Sequence, residues 1–253
     1  MNAPSPTIAT PETLIGSGAT ADIHRYGAHA LKLYHPGRGK TEAFLEAGIL
    51  ALLETHDLPA PRVHAVGRYD GRWGLVMDRV EGETLGRQAR ADADAAPAAL
   101  DDMVRLQLLL HGVIETRLRP LRMRLAVNIA RAPGLGEDVR ARLRRQLAAL
   151  PDGDRLCHGD LHPLNIVGVP GRTTVIDWLD ATSGPPAADA CRSYLLLRLG
   201  APDFAAAYLD RYVRVSAMAA ADILAWLPVL AGARLAEKAA GQRETLLELA
   251  GST

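Results

Sequence analysis

Short runs of alternating apolar and polar residues fill the first third of the chain and predict β-strands. Two of these runs flank Asp70-Gly71, a dipeptide that is typical of tight hairpin turns. Short connections between most of the runs favour antiparallel pairing, so the pattern predicts a five-stranded antiparallel sheet. The predicted strands are residues 13–16, 21–26, 29–34, 63–68 and 73–77.

Helical periodicity replaces this alternation in residues 41–54 and in most of the chain after residue 83. The apolar face of the first helix is predicted to consist of Phe44, Leu45, Ile49, Leu52 and Leu53. Glu46 lies on this face. Later helices are predicted at residues 101–116, 121–131, 137–150, 187–199, 204–219 and 221–248, the last one broken near Pro228 and Gly232. The chain is therefore predicted to be α+β, with a disordered start at residues 1–10, one lobe at residues 11–80 and a mainly α-helical lobe at residues 81–253.

Composition excludes several classes of function. The chain has 29 Lys and Arg against 29 Asp and Glu and only 4% aromatic residues, so we expect no nucleic-acid partner. It has no run of about 18 apolar residues and no signal-peptide pattern, so we expect no membrane association. Cys157 and Cys191 are too few for a disulfide framework and predict free thiols in the cytoplasm.

Residues 157–180 concentrate the candidate chemistry. Asp160, Asn165 and Asp177 lie within this stretch, and the last two are separated by β-forming residues with a turn signal at Pro170-Gly171. An antiparallel hairpin centred on residue 171 would place Asn165 beside Asp177. Two oxygen ligands near a free carboxylate suit Mg²⁺-assisted transfer of a phosphoryl group.

The first lobe carries residues that fit phosphate binding. Glycines between paired strands allow backbone N–H groups to approach a phosphate, although an ordinary hairpin turn explains this loop equally well. Lys32 lies inside an apolar strand, where it faces either solvent or a buried partner. Glu46 is the natural partner, with Glu42 and Glu54 as solvated alternatives. The loop consists of Gly16, Ser17, Gly18 and Ala19.

The order of these features resembles the aminoglycoside phosphotransferase and choline kinase-like family, a branch of the protein-kinase-like fold. The resemblance extends from about Thr13 to Leu247, and the motifs that carry it are His158-Gly159-Asp160-Leu161-His162-Pro163, Asn165-Ile166 and Val175-Ile176-Asp177-Trp178. It implies a bilobal protein-kinase-like fold with a nucleotide-binding N-terminal lobe and a catalytic, substrate-binding C-terminal lobe. Gly184-Pro185-Pro186 stands where family members commonly have Gly-Asp-Pro.

The resemblance also implies a role for each matching position. Asp160 would be the catalytic base or a hydroxyl-orienting carboxylate, and Asn165 and Asp177 would be the Mg²⁺ ligands. Lys32, held by Glu46, would contact the nucleotide phosphates. The other implied positions are Gly16, Ser17, Gly18 and Ala19 over the phosphates, the backbone at Asp78 and Val80 along the adenine edge, and His158 and Asp189 bracing the catalytic loop.

The function implied by the resemblance is an ATP-dependent small-molecule kinase, with GTP as an alternative donor, Mg²⁺ as cofactor and a monomeric or weakly dimeric state. The acceptor would be a hydroxyl of a small metabolite or an antibiotic. A nucleotide-binding regulatory protein without turnover is the alternative, but the intact Asp160, Asn165 and Asp177 argue against it. Acids after residue 190 are interspersed with Arg and Lys, which argues against a polycationic aminoglycoside. Arg234 and Glu237 are expected to form a surface ion pair, with a position facing the cleft as the alternative.

Overall fold

The computed structural model describes residues 11–237 and 241–251, so the expected disorder of residues 1–10 lies outside the described part. The chain divides into two compact units. The first comprises Met1–Glu83 and Val167–Leu179, and the second comprises Thr84–Ile166 and Asp180–Thr253. The predicted boundary at residue 80 lies close to the first division, but Val167–Leu179 groups with the N-terminal unit and not with the helical one.

An antiparallel sheet dominates the first unit, with the strand order β1-β2-β3-β5-β4. The predicted five-stranded sheet is therefore confirmed. Both turn residues between the last two strands have positive φ, 48° at Asp70 and 76° at Gly71, as a type I′ hairpin turn requires. Lys32 lies on the central strand, opposite Ile23 and Leu75. The strands are β1 (Leu14–Ser17), β2 (Ala21–Tyr26), β3 (His29–Tyr34), β4 (Val63–Tyr69) and β5 (Arg72–Asp78).

Helix α1 (Lys40–Leu53) forms where predicted but buries a different face. Phe44 and Leu45 are 50% and 52% exposed, so their predicted place on the buried face was wrong. Three- and four-residue spacing joins Ala43, Glu46, Ala47 and Leu50 into one buried stripe, which excludes positions 44 and 45. Phe44 instead contacts the edge of the Trp73 ring, with the ring centroids 5.9 Å apart.

The predicted hairpin is formed by β7 (Ile166–Val169) and β8 (Arg172–Val175). Gly168 has φ 123°, and a Cβ there would lie 2.5 Å from the Arg172 carbonyl oxygen, so only glycine fits at this close approach. The Gly168 N–H donates to Glu83 O at 3.1 Å, and the Val175 N–H donates to Pro59 O at 2.7 Å. These two bonds explain why the segment groups with the first unit.

Asn165 and Asp177 lie just outside the two hairpin strands. Asn165 ends a short 3₁₀ turn (Pro163–Asn165) before β7, and Asp177 follows β8 by two residues. The two residues belong to different compact units, and their pairing across the hairpin stays a prediction.

The second unit is mainly helical. Its core contains large, fully buried side chains from several helices, among them Met103 and Leu106 from one helix and Tyr208 and Tyr212 from another. Two short strands, β6 (Arg155–Cys157) and β9 (Thr182–Gly184), pair antiparallel. The helices are α2 (Leu85–Ala91), α3 (Ala96–His111), α4 (Leu121–Arg131), α5 (Glu137–Ala149), α6 (Pro186–Gly200), α7 (Pro202–Ser216), α8 (Ala220–Leu224), α9 (Leu227–Arg234) and α10 (Arg243–Gly251).

Two helix predictions need correction. Helix α3 begins and ends five residues earlier than predicted, because a proline in its first turn starts it and Gly112 caps its end. The segment predicted at residues 221–248 is broken just before Pro228, as expected, but α9 continues past Gly232 to Arg234, and Gly232 is buried inside it, where a Cβ would lie 2.5 Å from Leu143 Cδ1. Pro228 stands in the first turn of α9, and the predicted helix at residues 238–240 lies outside the described part. In the described residues no helix is both long and apolar enough to span a membrane.

Candidate active site

Lys32 is the centre of a buried charge cluster in the first unit. Its side chain is only 6% exposed, and Nζ lies 2.8 Å from Glu46 Oε1 and 2.7 Å from Asp177 Oδ1. Burial opposes the charge of Lys32, but the carboxylates of Glu46 and Asp177 outweigh it and raise the lysine pKa above its ordinary value. The structure thus brings together Lys32 and Glu46 as predicted, and it places Lys32 against a third predicted site residue.

Tyr34 completes this cluster and was not anticipated from the sequence. Its hydroxyl donates to Glu46 Oε2, and the tyrosine is 1% exposed. Burial and the charge of Glu46 raise the pKa of Tyr34 well above its ordinary value, so its hydroxyl remains a donor. Each Glu46 oxygen therefore has a partner, which orients the carboxylate toward Lys32. Two-residue alternation along β3 was the available signal, because Tyr34 lies on the same face as Lys32.

Asp177 combines exposure with an unusual backbone conformation. Its side chain is 43% exposed, whereas those of Lys32 and Glu46 are almost fully buried. Its φ of 63° lies in the left-handed region, which is uncommon for a residue other than glycine and is frequent at functional sites. With Oδ1 bound by Lys32, the second carboxylate oxygen is the one that can meet a cation. Asp177 can therefore act as a cation ligand whose orientation Lys32 sets.

The predicted phosphate loop forms a turn between β1 and β2. The Gly18 N–H donates to Ala21 O at 2.9 Å, and Ser17 Oγ donates to Asp22 Oδ1 at 2.9 Å. A Cβ at Gly18 would meet its nearest atom at 3.8 Å, so packing does not require glycine at this position. Gly16, Ser17, Gly18 and Ala19 lie together as expected, and their contact with phosphate stays a prediction.

Asp78 is the last residue of β5, and Val80 lies two positions after it. The Asp78 N–H donates to Arg62 O at 2.9 Å, and its carboxylate accepts from Arg62 N–H at 3.1 Å and lies 2.7 Å from His64 Nε2. Burial acts against ionisation, but these hydrogen bonds lower the pKa of Asp78. Asp78 and Val80 also line a cavity of about 470 Å³, a volume typical of small-molecule sites.

The catalytic-loop candidates form a second cluster, in the second unit. Asn165 Nδ2 donates to the Asp160 carbonyl at 2.9 Å, and the Asp160 N–H donates to His158 Nδ1 at 3.2 Å. Asn165 is 8% exposed. Because its amide nitrogen donates to Asp160, Oδ1 is the side-chain atom that can bind a cation. His158 is fully buried and braces the loop, as the resemblance implied.

Asp189 holds this loop from helix α6. Asp189 Oδ1 accepts from the Gly159 N–H at 2.8 Å, and Oδ2 accepts from Gln107 at 3.0 Å and lies 3.0 Å from His111 Nε2. Burial acts against ionisation, but the hydrogen bonds outweigh it and lower the pKa of Asp189 to about 2. Asp189 is thus a structural anchor of residues 158–160, whereas Gln107 and His111 were missed because they lie about 80 residues away in the sequence.

Arg192 supports the same loop and was also missed. It is 5% exposed, its Nε donates to Gly159 O at 3.0 Å, and its Nη2 lies 3.5 Å from Asp160 Oδ1. Nη2 also donates to Glu237 Oε2 at 2.6 Å, and Arg234 Nη1 lies 3.2 Å from the same oxygen. The expected ion pair between Arg234 and Glu237 is therefore present, but both side chains are partly buried and linked to the loop that carries Asp160, so its expected place on the surface was wrong. Spacing of three residues from Asp189 on α6 was the only available signal for Arg192.

The surroundings of Asp160 favour its ionised form. Burial raises its pKa, but His162 Nε2, 3.6 Å from Oδ2, and the guanidinium of Arg192 outweigh this and hold the pKa well below its ordinary value. Its side chain is 26% exposed. The loop therefore presents a carboxylate that accepts hydrogen bonds and binds a proton only weakly.

The five-stranded sheet and the mainly helical second unit are those of the protein-kinase-like class of fold. The model of the Phosphotransferase enzyme family matches residues 13–235, and the chain belongs to this family. No curated protein matches the chain.

Solved structures of similar fold include aminoglycoside phosphotransferases. A thermostable mutant of APH(4)-Ia, in ternary complex with AMP-PNP and hygromycin B, has a TM-score of 0.68 at 15% identity, covering 95% of this chain and 90% of that one. Aminoglycoside-3'-phosphotransferase of type VIII has a TM-score of 0.62 at 24% identity, with 91% and 92% covered. APH(3'')-Id from Streptomyces rimosus, in complex with ADP and streptomycin, has a TM-score of 0.59 at 22% identity, with 84% and 90% covered. At these identities the likeness shows the fold, so the predicted fold class is confirmed.

Proposed function

We propose that the protein is an ATP-dependent kinase that transfers a phosphoryl group to a hydroxyl of a small molecule. The observation that supports this most directly is the buried Lys32, held between Glu46 and Asp177 at 2.8 and 2.7 Å. A lysine fixed in this way offers a positioned positive charge for a nucleotide phosphate. The cytoplasmic location of the protein and its monomeric or weakly dimeric state stay predictions.

Oxygen donors of the chain fit Mg²⁺, which is bound in proteins by carboxylate and amide oxygens. The free carboxylate oxygen of Asp177 and Oδ1 of Asn165 would hold the ion. When bound, Mg²⁺ would neutralise charge on the nucleotide phosphates. Lys32 would bind the α- and β-phosphates, residues 16–19 would cover the phosphates, and the backbone at Asp78 and Val80 would bind the adenine edge.

Asp160 would orient the acceptor hydroxyl by accepting its hydrogen bond. Its lowered pKa makes it a weak base, which suits a reaction whose transition state needs little proton removal before bond formation. Asp189 and Arg192 hold the neighbouring Gly159 from both its N–H and its carbonyl. The loop is therefore set before an acceptor arrives.

Asp160→Asn tests this function. We would measure ADP release with Mg²⁺ and ATP against a panel of sugars, hydroxy acids, amino alcohols, choline and aminoglycosides, with nucleotide affinity determined separately. We expect acceptor-dependent turnover in the wild type and a fall in kcat of at least about 100-fold in the variant, with nucleotide affinity unchanged.

Asp154→Asn is the matched control, because Asp154 is an exposed acid of the same unit that contacts Arg155 at 3.5 Å. It should retain wild-type turnover. A wild-type protein that binds no nucleotide would contradict the proposed function. Equal turnover of Asp160→Asn and wild type would contradict the role given to Asp160.

A further inference from the structure

Three arginines and three carboxylates form a continuous charge cluster around the catalytic loop in the second unit. They come from α4, α6, α9, the turn after α9 and the two loops that contain residues 160 and 180. We call this set the arginine cluster; it consists of Arg124, Arg192, Arg234, Asp160, Asp180 and Glu237.

Glu237 is surrounded by positive charge. Its Oε2 accepts from Arg192 at 2.6 Å and lies 3.2 Å from Arg234 Nη1. Its Oε1 lies 3.5 Å from Arg124 Nη2 and accepts from Asn128 Nδ2 at 3.5 Å. Three guanidinium groups therefore share one carboxylate, and each oxygen of that carboxylate already has two partners.

The other two carboxylates are paired as well. Asp180 Oδ1 lies 2.7 Å from Arg124 Nη2, and Arg124 Nη1 donates to the Asp180 carbonyl at 2.6 Å. Asp160 has Arg192 at 3.5 Å and His162 at 3.6 Å. Each carboxylate of the arginine cluster is thus compensated by at least one cation of the chain itself.

Three guanidinium groups balance the three carboxylates of the arginine cluster. Burial and the neighbouring charge of Arg124 lower the pKa of Arg119, and burial and the charge of Arg192 lower the pKa of Arg234. Burial is the larger cause of both shifts, and the charge of a nearby guanidinium adds to it. An additional cation placed here would find no uncompensated carboxylate, because each carboxylate of the cluster is already paired.

We propose that the acceptor of this enzyme is a hydroxyl compound that carries no net positive charge. The inference rests on the proposed function, since Asp160 marks where the acceptor hydroxyl would lie. Binding of a polycation needs unpaired carboxylates, and near Asp160 the arginines occupy them. Discrimination against polycations is therefore assigned to Arg124 and Arg234, which pair with Asp180 and Glu237 without contacting Asp160 directly.

Direct titration with streptomycin and hygromycin B, in the presence of Mg²⁺ and AMP-PNP, tests this inference. We expect the wild type to bind both polycations more weakly than about 1 mM. The double variant Arg124→Gln/Arg234→Gln leaves Asp180 and Glu237 undercompensated and should bind both compounds at least about tenfold more tightly, with the gain disappearing at high salt. Arg211→Gln is the control, because Arg211 pairs with Asp101 at 2.8 Å between α7 and α3, outside the arginine cluster.

Wild-type binding of either aminoglycoside at micromolar concentration would overturn the inference. An equal response of the double variant and the control would overturn its assignment to the arginines. Circular dichroism and AMP-PNP affinity of each variant verify that it is folded. The same titrations separate this inference from the proposed function: absence of AMP-PNP binding in the wild type contradicts the kinase, whereas tight aminoglycoside binding beside normal AMP-PNP binding contradicts the acceptor class alone.

Discussion

Replacement of Asp189 by asparagine should destabilise the protein in a pH-dependent way. Asp189 is 2% exposed and accepts hydrogen bonds from Gly159 and Gln107, with His111 3.0 Å away. Asparagine keeps the shape of the side chain but removes the charge. It also turns an amide NH₂ toward one of the hydrogen-bond donors, Gly159 N–H or Gln107 Nε2. The substitution therefore isolates the contribution of the ionised carboxylate.

The magnitude follows from the pKa of Asp189, which is lowered from 3.8 to about 2 in the folded protein. This difference corresponds to about 2 kcal/mol of stability at pH 7. Because the folded-state pKa is depressed, the contribution is complete above the unfolded pKa and is lost as pH falls toward 2. About half of it, roughly 1 kcal/mol, should be gone at pH 3.

Urea unfolding followed by circular dichroism at pH 7 and pH 3 measures both quantities. Asp203→Asn is the matched control, because Asp203 is also a first-turn acid, at the start of α7, but is exposed. It should lower the free energy of unfolding by less than about 1 kcal/mol, the contribution of a charge near a helix end. Equal losses in the two variants, or a loss for Asp189→Asn that does not shrink at pH 3, would refute the reasoning.

Two further substitutions test the neighbouring geometry. Gly159→Ala should destabilise the protein by about 2 kcal/mol or more, because Gly159 has φ 79° and a Cβ would lie 2.4 Å from Asp180 O. Gly136→Ala is the control and should leave the urea midpoint nearly unchanged, because Gly136 has a negative φ and open space at the Cβ position. Lys32→Met should lower the free energy of unfolding by about 3 kcal/mol, because it leaves Glu46 buried without its cation, and it should abolish nucleotide binding. Lys40→Met, at an exposed site over Phe44 and Trp73, should cost less than about 1 kcal/mol. Equal effects of the two substitutions in unfolding and nucleotide titrations would contradict the buried-cluster argument.

Much of the site was accessible from local sequence patterns. Alternation, turn residues and short connections predicted the sheet, because strands and hairpins depend on neighbouring residues. The order of Lys32, Glu46, Asp160, Asn165 and Asp177 indicated a phosphotransferase before any geometry was known. Asp189 was inferred only through the resemblance, since by itself it is a first-turn helix acid.

Tertiary packing determines which face of α1 is buried and where α9 ends, and neither follows from periodicity alone. The stretch at residues 41–54 has apolar side chains on more than one side, so its buried face depends on the sheet against which α1 packs. The structure buries Glu46 and exposes Phe44, since the carboxylate finds Lys32 and Tyr34 there. Gly232 likewise fails to end a helix, because close contact with Leu143 favours a residue without a side chain.

Local sequence patterns predicted the five-stranded sheet, most of the helices and the order of the chemical groups along the chain. Only the tertiary structure showed that Arg124, Arg192, Arg234 and Glu237 meet around the loop that carries Asp160. Arg234 and Glu237 are one helical turn apart, but Arg124, Arg192 and this pair are separated from one another by 42 to 113 positions, and no local period encodes contacts at that distance. Charge pairing between distant helices depends on how the helices pack. The pairing of arginines with carboxylates around Asp160 therefore could not be predicted from residue counts.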